Sequence, residues 1–539
     1  MEQGAARERV HQNETASLVP VRRAVTDLLR DFGMTTLFGN PGSTELGFFL
    51  DFPQDFRYIL GLQESVVVGM ADGYAQATHN AAFINLHSAV GVGHAMGAIF
   101  TAYRNRTPLV ITAGQQSRAI LPFDPFLFSS QATELPKPYV KWSVEPARAE
   151  DVPLAIARAY YMAMQPPCGP VLVSVPADDW GRLCAPVRAR RVGRSVRPDP
   201  AVLDIIAGQL DAARRPAFVL GAAVDRDGAW DDVVALAQRH QAVVWVAPMS
   251  GRNGFPEDHP LFGGFLPAAR ERIVQLLAEH DFILALGAAA FTYHVEGFGP
   301  HIPAGSVLAQ IVDDPNTVAW APEGTAAVGS VRESVQDLLA RAQSAPRKAP
   351  APRAPAPRAE PSVPMSVAYA LQTLAEVRSA DSIIVEEAPS ARPVMQRYLP
   401  ILQSETFYTM CSGGLGFGLP AAVGVALGKP DRKVIGLLGD GSSMYSIQGL
   451  WSAAQLGLPI TFLILKNGGY AALREFAPVY GFTPSDELRG VDLPGIDFVS
   501  MARSMGCEGL RVSNPQLLPD VLLQALAASR PTLVEIEVA

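Results

Sequence analysis

A chain of 539 residues is longer than one hydrophobic core serves, and at about 150 residues per domain it predicts three or four units. The 48% apolar content supports well-packed globular units, and a formal net charge of −8 argues against a nucleic-acid or anionic-membrane surface, which would repel it on average. No apolar run reaches the roughly eighteen residues of a membrane span, and Met1-Glu-Gln-Gly-Ala-Ala-Arg-Glu-Arg lacks a signal-peptide core, so cytoplasmic metabolism with a small-molecule partner is the expectation. Cys168, Cys184, Cys411 and Cys507 are too scattered for a zinc site or a disulfide framework and read as reduced thiols.

In chain order, residues 1–16 are polar and without periodicity, which predicts a disordered tail. A helix over 21–32, a strand over 36–38, the turn 39–42 and buried strands over 82–86, 108–112 and 170–175 make 17–190 an α/β layer domain. A second such domain spans 197–340, with strands over 217–220, 242–246 and 282–286. The proline-rich stretch 341–361 forbids regular hydrogen bonding and predicts an extended, solvated linker. A third α/β domain, 362–539, closes on a strand over 532–538. The expected fold is α/β, with three doubly wound parallel sheets.

The third domain carries the strongest motif. Gly439-Asp440-Gly441-Ser442 follows a buried strand over 434–438, Ile447, Leu450, Trp451 and Ala454 have helical spacing, and a second strand over 461–465 leads to Lys466-Asn467-Gly-Gly-Tyr470. In a strand-helix-strand unit both strands end on the same sheet edge, so Asp440 and Asn467 converge beside a helix N-terminus that attracts phosphate. Two hard oxygen donors and a diphosphate suit Mg²⁺. This arrangement resembles the thiamin diphosphate motif, in which the carbonyl two residues past the Asn, here Gly469, completes the metal site. That cofactor needs a buried carboxylate to activate its aminopyrimidine. Glu64, at the head of an apolar helix where an unpartnered carboxylate is costly, is the candidate.

Longer runs extend the likeness. Phe38-Gly-Asn-Pro-Gly-Ser-Thr-Glu-Leu46, Phe83-Ile-Asn-Leu-His-Ser-Ala89, Thr112-Ala-Gly-Gln-Gln116, Cys411-Ser-Gly-Gly-Leu-Gly-Phe417 and Leu493-Pro-Gly-Ile-Asp-Phe498 resemble the benzoylformate decarboxylases, within the pyruvate-oxidase and acetolactate-synthase-like group of thiamin diphosphate enzymes. The resemblance covers nearly the whole chain. It implies pyrimidine-binding, central and diphosphate-binding domains, and a homo-oligomer, a dimer of dimers, whose sites form between paired chains. It places Ser43, His87 and His294 beside Glu64 as catalytic residues. Ser43 would bind the substrate carboxylate, His87 would protonate the carbonyl oxygen, and His294 would protonate the carbon left by CO₂; the two histidines are interchangeable on the sequence.

Further roles follow from the same likeness. Asn40, Gly413 and Leu415 would hold the aminopyrimidine and bend the cofactor, while Gly441, Ser442, Tyr445, Tyr470 and Ala471 would line the diphosphate. Phe126, Leu127, Leu473 and Phe476 would form an apolar slot for an aryl ring. A second metal near Glu134, with the carbonyls of Leu135 and Lys137, is also implied, against an exposed salt-bridging glutamate as the simpler account. The implied activity is non-oxidative decarboxylation of an aromatic 2-keto acid, benzoylformate to benzaldehyde, with aldehyde carboligation as a side reaction. An acetolactate-synthase-type carboligase, a decarboxylase of another keto acid and a non-enzymatic nucleotide-binding module are the alternatives.

Overall fold

The computed structural model describes residues 17–343 and 346–539; the expected tail and two residues of the linker lie outside them. Three six-stranded sheets, each wholly parallel, organise the chain. The first runs, in spatial order, Arg57–Leu60, Thr36–Asn40, Ala82–Leu86, Leu109–Gln115, Val171–Pro176 and Ser143–Val144. Every residue of Ala82–Leu86, Leu109–Gln115 and Val171–Pro176 is buried, as expected of central strands with helices on both faces. A short antiparallel pair, Val19–Pro20 with Leu183–Cys184, closes this domain.

The central sheet runs Phe262–Phe265, Val243–Val246, Pro216–Leu220, Phe282–Leu286, Val307–Val312 and Thr325–Val328. The third runs Phe407–Thr409, Ile383–Glu387, Val434–Gly439, Thr461–Lys466, Thr532–Glu537 and Glu508–Val512. The three-sheet α/β organisation is thus the one expected from the alternation of buried strands and helices.

The first and third domains share one hydrophobic core, with Phe38, Val67 and Ile84 from one side and Val385, Leu419 and Phe462 from the other. Its centre is the packing of helix Glu64–Thr78 on helix Gly418–Gly428. Gly69 and Gly73 on the first, and Gly424 and Gly428 on the second, are four apart and so lie on one face of each helix. A Cβ at Gly73 would overlap the Ala421 carbonyl, and one at Gly424 the Met70 carbonyl. The helices therefore meet backbone to backbone, and the start of Glu64–Thr78 is fixed rigidly against the third domain.

A buried ion pair joins all three domains. Arg252 Nη1 lies 2.8 Å from Asp225 Oδ2, with side chains 3% and 1% exposed. The same guanidinium donates to the Gln76 carbonyl at 3.2 Å and stacks over Tyr408, while Asp225 Oδ1 accepts from the Glu405 amide at 2.9 Å. Past Arg341, which ends helix Val331–Arg341, the described part of the linker forms no helix or strand, yet it is not a free rod. Arg347 donates to the carbonyls of Leu210, Asp211 and Ala213, and Ala359 exchanges hydrogen bonds with the Gln372 side chain. Among the described residues no helix is long and apolar enough to cross a membrane, and the four cysteines are free thiols.

Candidate active site

The diphosphate end is built by two adjacent parallel strands. Gly439 pairs in register with Leu465, so Asp440 and Asn467 emerge side by side past the strand ends. Asp440 is buried and held from three directions: Oδ1 accepts from the Gly441 amide at 2.7 Å, and Oδ2 from those of Asn467 at 3.1 Å and Gly468 at 2.7 Å. Gly468 turns the chain at φ +74°, where a glycine meets no steric penalty. The loop is clamped from outside, because Tyr470 donates its amide to the Val491 carbonyl and Leu493 to the Gly468 carbonyl, both at 2.8 Å. Asn467 Oδ1 faces its own loop, accepting from the Gly469 amide at 3.2 Å.

Ser442, in the short helical turn Asp440–Ser443, donates to the Glu387 carbonyl at 2.6 Å. Tyr470 lies so close over Gly441 that a Cβ there would strike its ring, Tyr445 is largely exposed, and Ala471 opens the helix Ala471–Phe476. The resulting rim has bare backbone, hydroxyls and two tyrosines around a carboxylate.

Glu387 supports the loop that carries Gly413 and Leu415. Its two carboxylate oxygens accept from the amides of Gly416 at 2.5 Å and Gly418 at 2.6 Å. Burial pushes this carboxyl up to about 8 despite those donors. Gly413 and Gly416 both adopt positive φ, and Leu415 packs partly buried against the shared core.

Glu64 opens its helix, where the macrodipole favours negative charge, and the Gln63 side chain caps it by accepting from the amides of Ser65 and Val66. The Glu64 residue is only 8% exposed. Its Oε1 is 3.5 Å from Asn40 Nδ2, and its Oε2 is 3.1 Å from His94 Nδ1. Among the described residues no hydrogen bond or ion pair links this carboxylate to Asp440 or Asn467.

His87 follows strand Ala82–Leu86, and Ser88 after it takes a left-handed φ of +47° that turns the chain sharply into helix Ser88–Asn105. His87 Nδ1 lies 2.9 Å from Glu45 Oε2 and 3.2 Å from Thr44 Oγ1. Thr44 spends its own proton on Glu45 Oε1 at 2.6 Å, so both neighbours of Nδ1 are acceptors and Nδ1 must carry a hydrogen. The opposite nitrogen, Nε2, is left for other work. Ser43, next to this cluster, is exposed, and among the described residues its hydroxyl has no hydrogen-bond partner.

The structure brings His294 to Phe476, ring centroids 4.9 Å apart and edge-on, which unites a histidine of the central domain with an expected pocket wall. It does not add the other walls in the single chain: Phe126 is 87% exposed, and Leu473 is also exposed. Glu134 pairs with Lys137 at 2.7 Å, both largely exposed, and this partner holds its carboxyl below the usual range; the salt-bridging account fits.

Two neighbours of the expected residues were not anticipated from sequence. Glu45 sits in the run that drew attention to Ser43, and its signal was a carboxylate inside an otherwise apolar and small-residue segment. His94 lies among glycines and alanines, with no local pattern to single it out.

Residues 20–133 match the description "Thiamine pyrophosphate enzyme, N-terminal TPP binding domain", 203–338 the central domain, and 390–536 the C-terminal TPP binding domain. The chain belongs to the thiamine pyrophosphate enzyme family. It is 44% identical over 522 residues to a benzoylformate decarboxylase of Pseudomonas aeruginosa, covering 96% of this chain and 98% of that protein. Among solved structures, benzoylformate decarboxylase from Polynucleobacter necessarius superposes with a TM-score of 0.94 at 40% identity, covering 96% of this chain and 98% of the other. A thiamine diphosphate-dependent 4-hydroxybenzoylformate decarboxylase of Rhodococcus jostii RHA1 gives 0.92 at 40% identity, with 96% and 99% covered.

The residues present suit the family's cofactor. The Asp440 carboxylate, the Asn467 amide oxygen and the Gly469 carbonyl are hard oxygen donors of the kind Mg²⁺ prefers, and they would be the groups to hold it. Gly441 makes room for the Tyr470 ring beside Asp440, and Glu64 offers a nearly buried carboxylate with one weakly engaged oxygen.

Proposed function

We propose that the protein is a thiamin diphosphate- and Mg²⁺-dependent carboxy-lyase that decarboxylates aromatic 2-keto acids, benzoylformate to benzaldehyde and CO₂, in the cytoplasm, with aldehyde carboligation as a side activity. The bound cofactor supplies the nucleophilic carbon and the electron sink. Asp440, Asn467 and the Gly469 carbonyl hold the metal; Gly441, Ser442, Tyr445, Tyr470 and Ala471 line the diphosphate. Asn40, the Gly413 carbonyl and Leu415 position the aminopyrimidine, and Glu64 exchanges a proton with it.

Ser43 orients the substrate carboxylate through its unpartnered hydroxyl. His87, its Nδ1 proton held by Glu45, presents Nε2 to the substrate carbonyl oxygen and delivers a proton there. His294 protonates the carbon that loses CO₂, beside Phe476. Phe126, Leu127 and Leu473 complete the aryl slot when a second chain packs against the first, which accounts for the exposure of Phe126 and Leu473. The same pairing brings Glu64 of one chain to the diphosphate clamp of the other, in a dimer of dimers.

The observation that carries this reading is the buried Glu64 carboxylate at its helix start, for which a module that merely binds a diphosphate has no use. The substrate class rests on the near full-length likeness to the benzoylformate and 4-hydroxybenzoylformate decarboxylases. A panel of aryl and alkyl 2-keto acids, assayed for CO₂ and carbonyl product with both cofactors supplied, tests it. Aryl substrates should give equal amounts of CO₂ and aldehyde at the highest kcat/KM. A yellow, flavin-bearing protein, or condensation product outpacing free aldehyde, would contradict it.

A further inference from the structure

Glu64 has two polar side-chain neighbours, and they differ in what they can do. The Asn40 amide donates a hydrogen bond at the long limit of 3.5 Å and cannot hand over a proton. His94 can. Its Nδ1 lies 3.1 Å from Glu64 Oε2, and its side chain is 57% exposed, whereas the carboxylate is almost closed off. Gly91, one turn earlier on the same face of helix Ser88–Asn105, faces the Glu64 side chain: a Cβ there would lie 3.4 Å from Glu64 Cγ, in ordinary contact. The helix face that carries His94 packs on Glu64, and in the single chain this one ring lies between the nearly buried acid and the surface.

We propose that His94 is a positioning residue for Glu64 that exchanges the carboxylate's proton with solvent. The inference rests on the reading of Glu64 as the carboxylate that activates the cofactor. A carboxylate in that role gains and loses a proton in every cycle, and burial slows the exchange unless a neighbouring side chain that can carry a proton provides a route. The His94 imidazolium gives its Nδ1 proton to Glu64 Oε2, and the neutral ring recovers a proton from water; the reverse step returns it.

Among the described residues no other titratable group shares a hydrogen bond or ion pair with Glu64 or His94. The strand Thr36–Asn40 contributes only Asn40, and Gln63 is occupied with the amides of its own helix. His87, on the helix that carries His94, is engaged with Glu45, and Arg104 lies at the far end of that helix.

The test follows the exchange of the C2 proton of bound thiamin diphosphate for deuterium, in the Mg²⁺-loaded protein, for wild type, His94→Asn, His94→Ala and Glu64→Gln. Calorimetry in buffers of different ionisation enthalpy gives cofactor affinity and the protons taken up on binding. His94→Asn keeps an amide donor for Glu64 but cannot titrate. Exchange in both His94 variants should slow by roughly tenfold or more, with affinity little changed, altered proton uptake, and recovery of His94→Ala by added imidazole.

Wild-type exchange in both His94 variants, with Glu64→Gln slow, overturns the inference and leaves the role of Glu64 standing. Wild-type exchange in Glu64→Gln overturns both. Loss of cofactor binding in both His94 variants also overturns the inference, because it makes His94 a structural residue.

Discussion

Replacing Glu45 by Gln isolates the charge that holds His87. Glu45 is 1% exposed and accepts three hydrogen bonds, from the Gly42 amide at 2.8 Å, Thr44 Oγ1 at 2.6 Å and His87 Nδ1 at 2.9 Å. Glutamine has nearly the same shape, and its single carbonyl oxygen can still satisfy Gly42. It loses one acceptor and the negative charge that steadies an imidazolium. Hydrogen bonds to charged groups contribute about 1.5–3 kcal/mol, so kcat/KM for decarboxylation should fall roughly 10- to 150-fold. Thermodynamic stability should drop by no more than the same amount. The assay is steady-state CO₂ release from benzoylformate across pH, with the thermal midpoint measured in parallel. A kcat/KM indistinguishable from wild type at every pH would refute the argument that Glu45 fixes the proton on His87.

Three further outcomes follow from the geometry. Mixing Glu64→Gln chains with Asp440→Ala chains should restore activity that neither has alone, since on the proposed pairing one of two sites then has both groups intact; inactive mixtures, with hybrid assembly verified, would place the site within one chain. Asp225→Ala leaves the Arg252 guanidinium buried without its partner and should cost about 3–5 kcal/mol in chemical denaturation; an unchanged midpoint would contradict the clasp between domains. Glu387 is raised from 4.5 to about 8, so its folded form keeps a proton that the unfolded chain releases between those values. Its stabilising effect is therefore complete below that window and fades as pH rises through it. The thermal midpoint should decline less steeply over the same pH range in Glu387→Gln than in wild type, and parallel slopes would contradict this.

Most of the fold was legible because its signals are local. Buried strands such as 434–438 and 461–465 are continuous apolar runs, and a parallel strand-helix-strand unit places the residues after them on one edge, which is why the sequence spacing of Asp440 and Asn467 becomes proximity. Contacts distant along the chain were harder. Glu45 reaches His87 across 42 residues and His94 reaches Glu64 across 30, so no helical or strand period exposes either pair. The linker's prolines disfavour regular structure, but Arg347 docks on carbonyls more than 130 residues away, which composition does not encode. The aryl slot was harder for a different reason: Phe126 and Leu473 are exposed in one chain, so the proposed enclosure would need a second copy.

The central claim is that Glu64 switches on a cofactor anchored by Asp440 and Asn467. It is tested most directly by comparing turnover and thiamin diphosphate affinity in Glu64→Ala. Turnover of benzoylformate should fall by on the order of a thousandfold, within the span that general acid–base groups contribute, while calorimetry with Mg²⁺ still shows the cofactor bound and the fold intact. Full turnover in that variant would contradict the account.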